Sequence, residues 1–219
     1  MNGRRTQKTF SEYGKFKITK TYSMKLLLIA CVIGTLTAFM PSTRYSDLEE
    51  IKVNSQLAYN VDFRGQKYQF VVDVQKKSPD LVFKYNLTMG GGMEATVTVT
   101  EEAMKTAINQ QNYFNGADRT LNTETTVWVS KKVFNEIKNS GKTIIGNAQG
   151  MGAFKADEYT LTGTVDFNAM VNGEEVKLKA LHIKAANDYQ YWIWDNAKDP
   201  LILKMDLGWG ISLKEINAE

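Results

Sequence analysis

The sequence predicts a mostly β fold with a small helical part: a curved antiparallel sheet or half-barrel of about nine strands, with two short helices covering its apolar face. Three observations carry this expectation. Apolar and polar residues alternate with a period of two through most of 57–99 and 159–213. Turn signals such as "RGQ", "SPD", "GGG" and "NG" separate these runs. Between residues 100 and 140 the pattern turns helical, and cap residues stand where helices would begin.

Two parts are expected along the chain, an export leader over 1–42 and a single antiparallel β-sheet domain over 43–219. The leader reading rests on "MKLLLIACVIGTLTAFMPST" (24–43), in which Lys25 precedes an apolar run from Leu26 to Met40. A helix of that length rises ~22 Å, short of the ~30 Å hydrocarbon core. The pattern suits a secretory signal cleaved near Ala38, although Leu36 occupies a position where a small residue is preferred. A short uncleaved anchor would place the body on the same side of the membrane. "LIAC" (28–31) looks like a lipoprotein box, but the apolar run continues beyond Cys31. "RRTQKTF" (4–10) lacks the pattern that follows a twin-arginine pair, and Met24 is the expected true start. The expected location is the periplasm or cell envelope of a bacterium.

The body reads as strands in order. Leu57, Tyr59, Val61 and Phe63 share one stripe, and Tyr68, Phe70, Val72 and Val74 the next. A third stripe runs from Leu81 to Met89, and a fourth over Ala95, Val97 and Val99. Polar residues on the opposite faces mark a sheet solvated on one side. Thr100 then caps a first helix whose opening Glu101 and Glu102 suit the positive end of its dipole. A short strand is expected around "TTVWVS" (125–130), and Ser130 caps a second helix with Val133, Phe134 and Ile137 on one side, closed by "SG" (140–141). Strands resume at Tyr159–Ala169, turn at Asn172–Gly173 and return over 174–184, where the apolar parity switches after Ala180. A bulge near Ala180 would account for the switch. The last run, 201–216, is too long for one straight strand, so Gly208 and Gly210 are read as a bend or hairpin.

Composition excludes several functions. The net charge of +3 divides into +6 over 1–42 and −3 over 43–219, so the body lacks the basic surface of a nucleic-acid binder. The single cysteine, Cys31, lies in the apolar run, which leaves the body without disulfides, thiol nucleophiles or thiolate metal sites. The single histidine, His182, has no evident triad or metal partners and reads as a strand residue on a polar face. Asp62, Asp73, Asp166 and Asp206 fall on polar strand faces, away from any cleft in which a carboxylate pair would work. "SGKT" (140–143) lacks the glycine of a phosphate loop, because Glu136 stands in its place. "GNAQGMG" (146–152) has the wrong spacing for a dinucleotide fingerprint. No catalytic residue, metal or cofactor is expected.

The aromatic residues remain. "YQYWIWDN" (189–196) is apolar on both strand faces, with Tyr189, Tyr191 and Ile193 on one and Trp192 and Trp194 on the other. Three of the four tryptophans fall within 192–209. These residues either form a core hairpin that closes the sheet or wall a cavity for an apolar ligand. The candidate ligand-binding set is Trp192, Trp194, Trp209, Tyr189, Tyr191 and Phe167.

The successive segments "NGEEVKLKALHIK", "YWIWDNAKDPLILKM" and "LGWGISLKEI" resemble a family of uncharacterised secreted bacterial β-sheet domains over about 60 residues of the C-terminal third. The whole body is similar to the periplasmic lipoprotein-localisation carriers at the level of architecture alone. Those carriers are exported half-barrels with an apolar concave face, so the resemblance implies binding of an acyl chain or hydrophobic segment without catalysis. The function expected is that of a non-enzymatic envelope protein binding a lipid, another apolar small molecule or a hydrophobic partner. It would meet the membrane only through its leader. The alternative is a structural domain with a filled core that docks to other envelope proteins.

Overall fold

Period-two alternation becomes hydrogen-bonded hairpins wherever turn residues interrupt it. The computed structural model describes residues 44–89, 92–150 and 152–218. Its first strands are Arg44–Tyr45 (β1), Gln56–Phe63 (β2), Gln66–Lys76 (β3), Leu81–Leu87 (β4) and Met93–Val99 (β5). Helix α1 covers Glu101–Thr106, followed by Asn109–Gln110 (β6), Arg119–Leu121 (β7) and Glu124–Thr125 (β8). Helix α2 covers Lys131–Ser140 and leads into Lys142–Ala148 (β9). The remainder comprises Phe154–Val171 (β10), Glu174–Ala185 (β11), Gln190–Trp194 (β12), Ile202–Asp206 (β13) and Gly210–Asn217 (β14). Residues Thr43–Glu219 group as one unit. The expected leader, 1–42, lies outside the described residues.

Local chemistry accounts for the punctuation. Arg64 and Gly65 (φ 53° and 84°) and Asn172 and Gly173 (φ 51° and 80°) make two-residue turns with both φ positive, which match the twist of the strands they join. The Thr100 side chain accepts the Ala103 N–H at the start of α1, and Ser130 accepts that of Val133 at the start of α2. Gly141, at φ 70°, ends α2 in the left-handed conformation.

The fold is mostly β with two helices, as the alternation indicates, but the strand count and pairing need correction. All fourteen strands join one mixed sheet in the order β7-β5-β4-β3-β2-β14-β13-β12-β11-β10-β9-β6-β8, with β1 on β11, instead of a nine-strand antiparallel half-barrel. Parallel pairs occur at β1–β11, β5–β7, β6–β8, β6–β9 and β10–β14. The β10–β14 pair closes β14, β13, β12, β11 and β10 into a ring of hydrogen-bonded neighbours. Among the strands not expected, β1, β6 and β7 are two or three residues long, too short for a period, and exist because a partner edge lies beside them, while β9 is seven residues long.

The strand expected at 125–130 is not formed. Val127 takes φ 64°, and the Trp128 N–H bonds back to the Thr126 carbonyl at 2.7 Å in a three-residue turn. Only β8 and an isolated Trp128–Leu201 bridge remain of it. The bulge expected near Ala180 lies across the ladder, at Thr162 of β10, where Leu161 faces Ile183 and Gly163 faces His182. Strand β11 itself runs on without a bulge, and its parity switch is a change of covered face. Leu178 and Ala180 pack in one hydrophobic cluster, Leu181, Ile183 and Ala185 in another.

These two clusters constitute the core. The first gathers the inward stripes of β2–β5, α1 and the far half of β11; the second gathers α2, β9, β12 and parts of β11 and β13. Trp209 and Ile211 pack against both. A buried carboxylate ties the first cluster to the segment ahead of β2. Asp199 is 2% exposed, accepts the Ile51 N–H at 2.7 Å and the Trp128 indole N–H at 3.2 Å, and pairs with Lys77.

Candidate functional site

Where the two clusters meet, side chains fail to fill the space between them, and a cavity of about 670 Å³ remains. The first cluster contributes Tyr59, Val61, Phe70 and Leu87 to its wall, and the second Ile202, Met205 and Leu207. Hairpin ends frame it: Phe63 and Arg64 from β2–β3, Met89 and Met93 from β4–β5, and Trp209 from β13–β14. Ala148, Gln149 and Gly150 add the end of β9 and the turn after it.

The segment 110–115 closes a further side. Phe114 packs on Phe70 (ring centroids 4.6 Å apart) and on Tyr85 (4.8 Å), and the Gly116 N–H donates to the Tyr85 hydroxyl at 2.9 Å. Aromatic packing therefore holds this loop against the sheet. Of the seven large apolar residues exposed among the described residues, three line the cavity: Phe63, Met89 and Tyr113. Part of the exposed apolar surface thus lies at its rim, where a ligand or partner could meet it.

Apart from Arg64, the walls carry no charged side chain. Tyr59 donates its hydroxyl to the Ile202 carbonyl at 3.0 Å, and burial pushes its phenol far above the ordinary 10.0. Burial also raises Tyr68 and Tyr85, the latter opposed by its bond with the Gly116 N–H. Arg64 is the charged residue of the lining; its guanidinium lies 5.3 Å from the Phe63 ring centroid and makes no ion pair among the described residues.

One buried polar group stands apart. Gln111 is 1% exposed and lines the cavity; its Oε1 accepts the Tyr113 N–H at 3.0 Å, but its Nε2 has no hydrogen-bond partner among the described residues. A buried amide donor without an acceptor is rare and costly. The neighbouring Gln110 is satisfied differently, accepting the Thr125 hydroxyl at 3.0 Å.

Of the six residues singled out in the sequence, the structure brings two to this cavity, Tyr189 and Trp209. Tyr191 is wholly buried in the second cluster, edge-on to Tyr159 at 5.4 Å, and donates its hydroxyl to Asn147. Trp194, 5% exposed, packs in the first cluster beside Ala180. Phe167 pairs with Leu178 on β11 and packs on the same cluster. Trp192 is half-buried and stacks on His182 at 4.4 Å and 10°, with the Lys204 ammonium 4.4 Å from its ring centroid. The His182 ring is held by Thr162 (2.8 Å) and Gln190 (2.9 Å).

Sequence reasoning missed most of the wall: Tyr59, Phe63, Tyr68 and Phe70 read as ordinary strand stripes, and Tyr113 and Phe114 were not singled out. Their inward parity was visible, but which inward positions lack a facing neighbour depends on the packing of distant strands. Gln111 gave no signal, since a glutamine in a polar segment is unremarkable. Among the described residues, no group of three His, Cys, Asp or Glu side chains is placed to hold a metal ion, and no helix is long and apolar enough to cross a membrane. The chain matches no protein-family model, no curated protein and no solved structure.

Proposed function

We propose that this protein is an exported, non-enzymatic component of a bacterial envelope that binds a lipid, an acyl chain or another apolar ligand in the aromatic-walled cavity between its two cores. The cavity carries the reading: its volume lies within the ~300–1,000 Å³ of small-molecule sites, and its wall is mainly apolar, with amide side chains along one side. On this reading β2, β3, β13 and β14 act as the concave wall of a curved sheet, the arrangement implied by the likeness to lipoprotein-localisation carriers. Export rests on residues 24–43, whose basic flank and short apolar run have the form of a signal.

Binding of N-phenyl-1-naphthylamine, an uncharged fluorophore that brightens in apolar surroundings, tests this reading. The native chain and Trp192→Ala bind it alike, because Trp192 lies outside the cavity, whereas Ile211→Phe, which fills the seam, binds it weakly. Equal binding by Ile211→Phe and the native chain would place the fluorophore elsewhere. A second reading, an interaction domain with a filled core, is favoured by the burial of Tyr191 and Trp194 within the clusters. It predicts no binding by any of the three proteins.

A further inference from the structure

The cavity's polar inventory narrows the ligand class. An alkane in an apolar cavity would leave the Gln111 Nε2 donor as it is now, buried and unpaired. The amide is not free to turn over: its oxygen is fixed by the Tyr113 N–H at 3.0 Å, so its nitrogen must present donors on the other side. Its backbone is fixed as well, since the Gln111 N–H donates to the Thr125 carbonyl at 2.8 Å. Next along the wall, Thr126 and Val127 are held by the three-residue turn that ends at Trp128. A β-branched residue at φ 64° is a rare conformation, and strained backbone of this kind is concentrated at binding sites.

We infer that the occupant is an acyl compound whose hydrocarbon chain fills the seam between the clusters and whose carbonyl oxygen accepts a hydrogen bond from Gln111 Nε2. This rests on the proposed apolar-ligand function and adds the feature that separates an acyl chain from a plain hydrocarbon. Arg64, without a carboxylate partner and on the lining of the same cavity, stands ready for an anionic head. A free fatty acid and an acyl ester share the carbonyl and differ in that head.

The experiment is displacement of N-phenyl-1-naphthylamine from the full chain by chain-matched competitors: methyl decanoate, which has the carbonyl, and undecane, which lacks it. Methyl decanoate is expected to displace at about tenfold lower concentration, the scale of one buried hydrogen bond that satisfies an otherwise unmet donor. In Gln111→Leu the two competitors should become equal, a comparison within one protein that a general loss of affinity does not mimic. Equal displacement from the native chain would overturn the acyl inference and leave the cavity reading standing. Failure of the fluorophore itself to bind would overturn both. Decanoate serves as the third competitor. A preference for it over the ester that disappears in Arg64→Ala assigns the site to free acids, and equal strength assigns it to esters.

Discussion

Asp199 and the buried tyrosines show how single residues fix this fold. The Asp199 carboxylate joins three segments far apart in sequence, through Ile51, Lys77 and Trp128, with 2% of its surface exposed. Asp199→Ala leaves two N–H donors and a partly buried ammonium unmet, and should cost about 3 kcal/mol in urea unfolding. Asp199→Asn keeps an acceptor oxygen and should cost less. Tyr59, Tyr159 and Tyr191 give a pH signature. Burial raises all three phenols above 10.0, so the unfolded chain releases these protons first. Stability is then full below about pH 10 and falls as pH rises above it. Tyrosinate absorbance should show these three groups ionising only as the fold is lost. Ionisation of all ten tyrosines in the folded chain would contradict their burial.

Elements were legible to the extent that their residues meet a repeating environment. β2 to β5 were readable because each buries one stripe, β10 to β14 because alternation runs between clear turn residues, and both helices because Thr100, Ser130 and Gly141 mark their ends. β9 was not, for its buried positions are Thr143, Ile145 and Asn147 while Ile144 faces solvent, which inverts the expected alternation. Its polar Asn147 is buried because it bonds both Tyr159 and Tyr191. Gly146, in the same strand, leaves room for Asn109 of β6, whose carboxamide oxygen a Cβ would strike. Gly146→Val should therefore detach β6 and lower the melting temperature, whereas a valine at Gly141 or Gly173, where space is open, would cost only the strain of positive φ. The two-faced burial around β11 and β12 gives a sharper test. Trp194→Ala removes a core indole and should cost about 3–5 kcal/mol. Trp192→Ala removes one stacked ring and one cation–π contact, and should cost roughly 1–2 kcal/mol by the same denaturation. Reversal of that order would invalidate the assignment of faces.

At the scale of the whole molecule, the ends of the described chain hold the sheet together. β14 pairs with β2 on one side and β13 on the other and meets β10 at its far end, so Leu57 faces Ile216 across some 160 residues of chain. Removal of Gly210–Asn217 should abolish the cooperative transition altogether, seen as loss of near-ultraviolet dichroism. A truncated chain that still melts in one step would show β14 to be dispensable. The overall class was legible because alternation is local; the cavity was not, because it lies on a seam that only the folding of two separate clusters against Trp209 and Ile211 creates. Tyr189 and Trp209 were reached from sequence because aromatic density is visible there. The remaining four candidates have the same residue chemistry but are packed against their own chain.

The central claim, that the seam between the cores is a ligand site, is tested most directly by native mass spectrometry of the full chain purified from an exporting bacterium, beside Ile211→Phe. The account predicts a stoichiometric adduct of lipid-like mass on the native chain and none on the variant. A native chain that carries no adduct, and gains none after incubation with methyl decanoate, would contradict it and make the seam an unfilled packing defect.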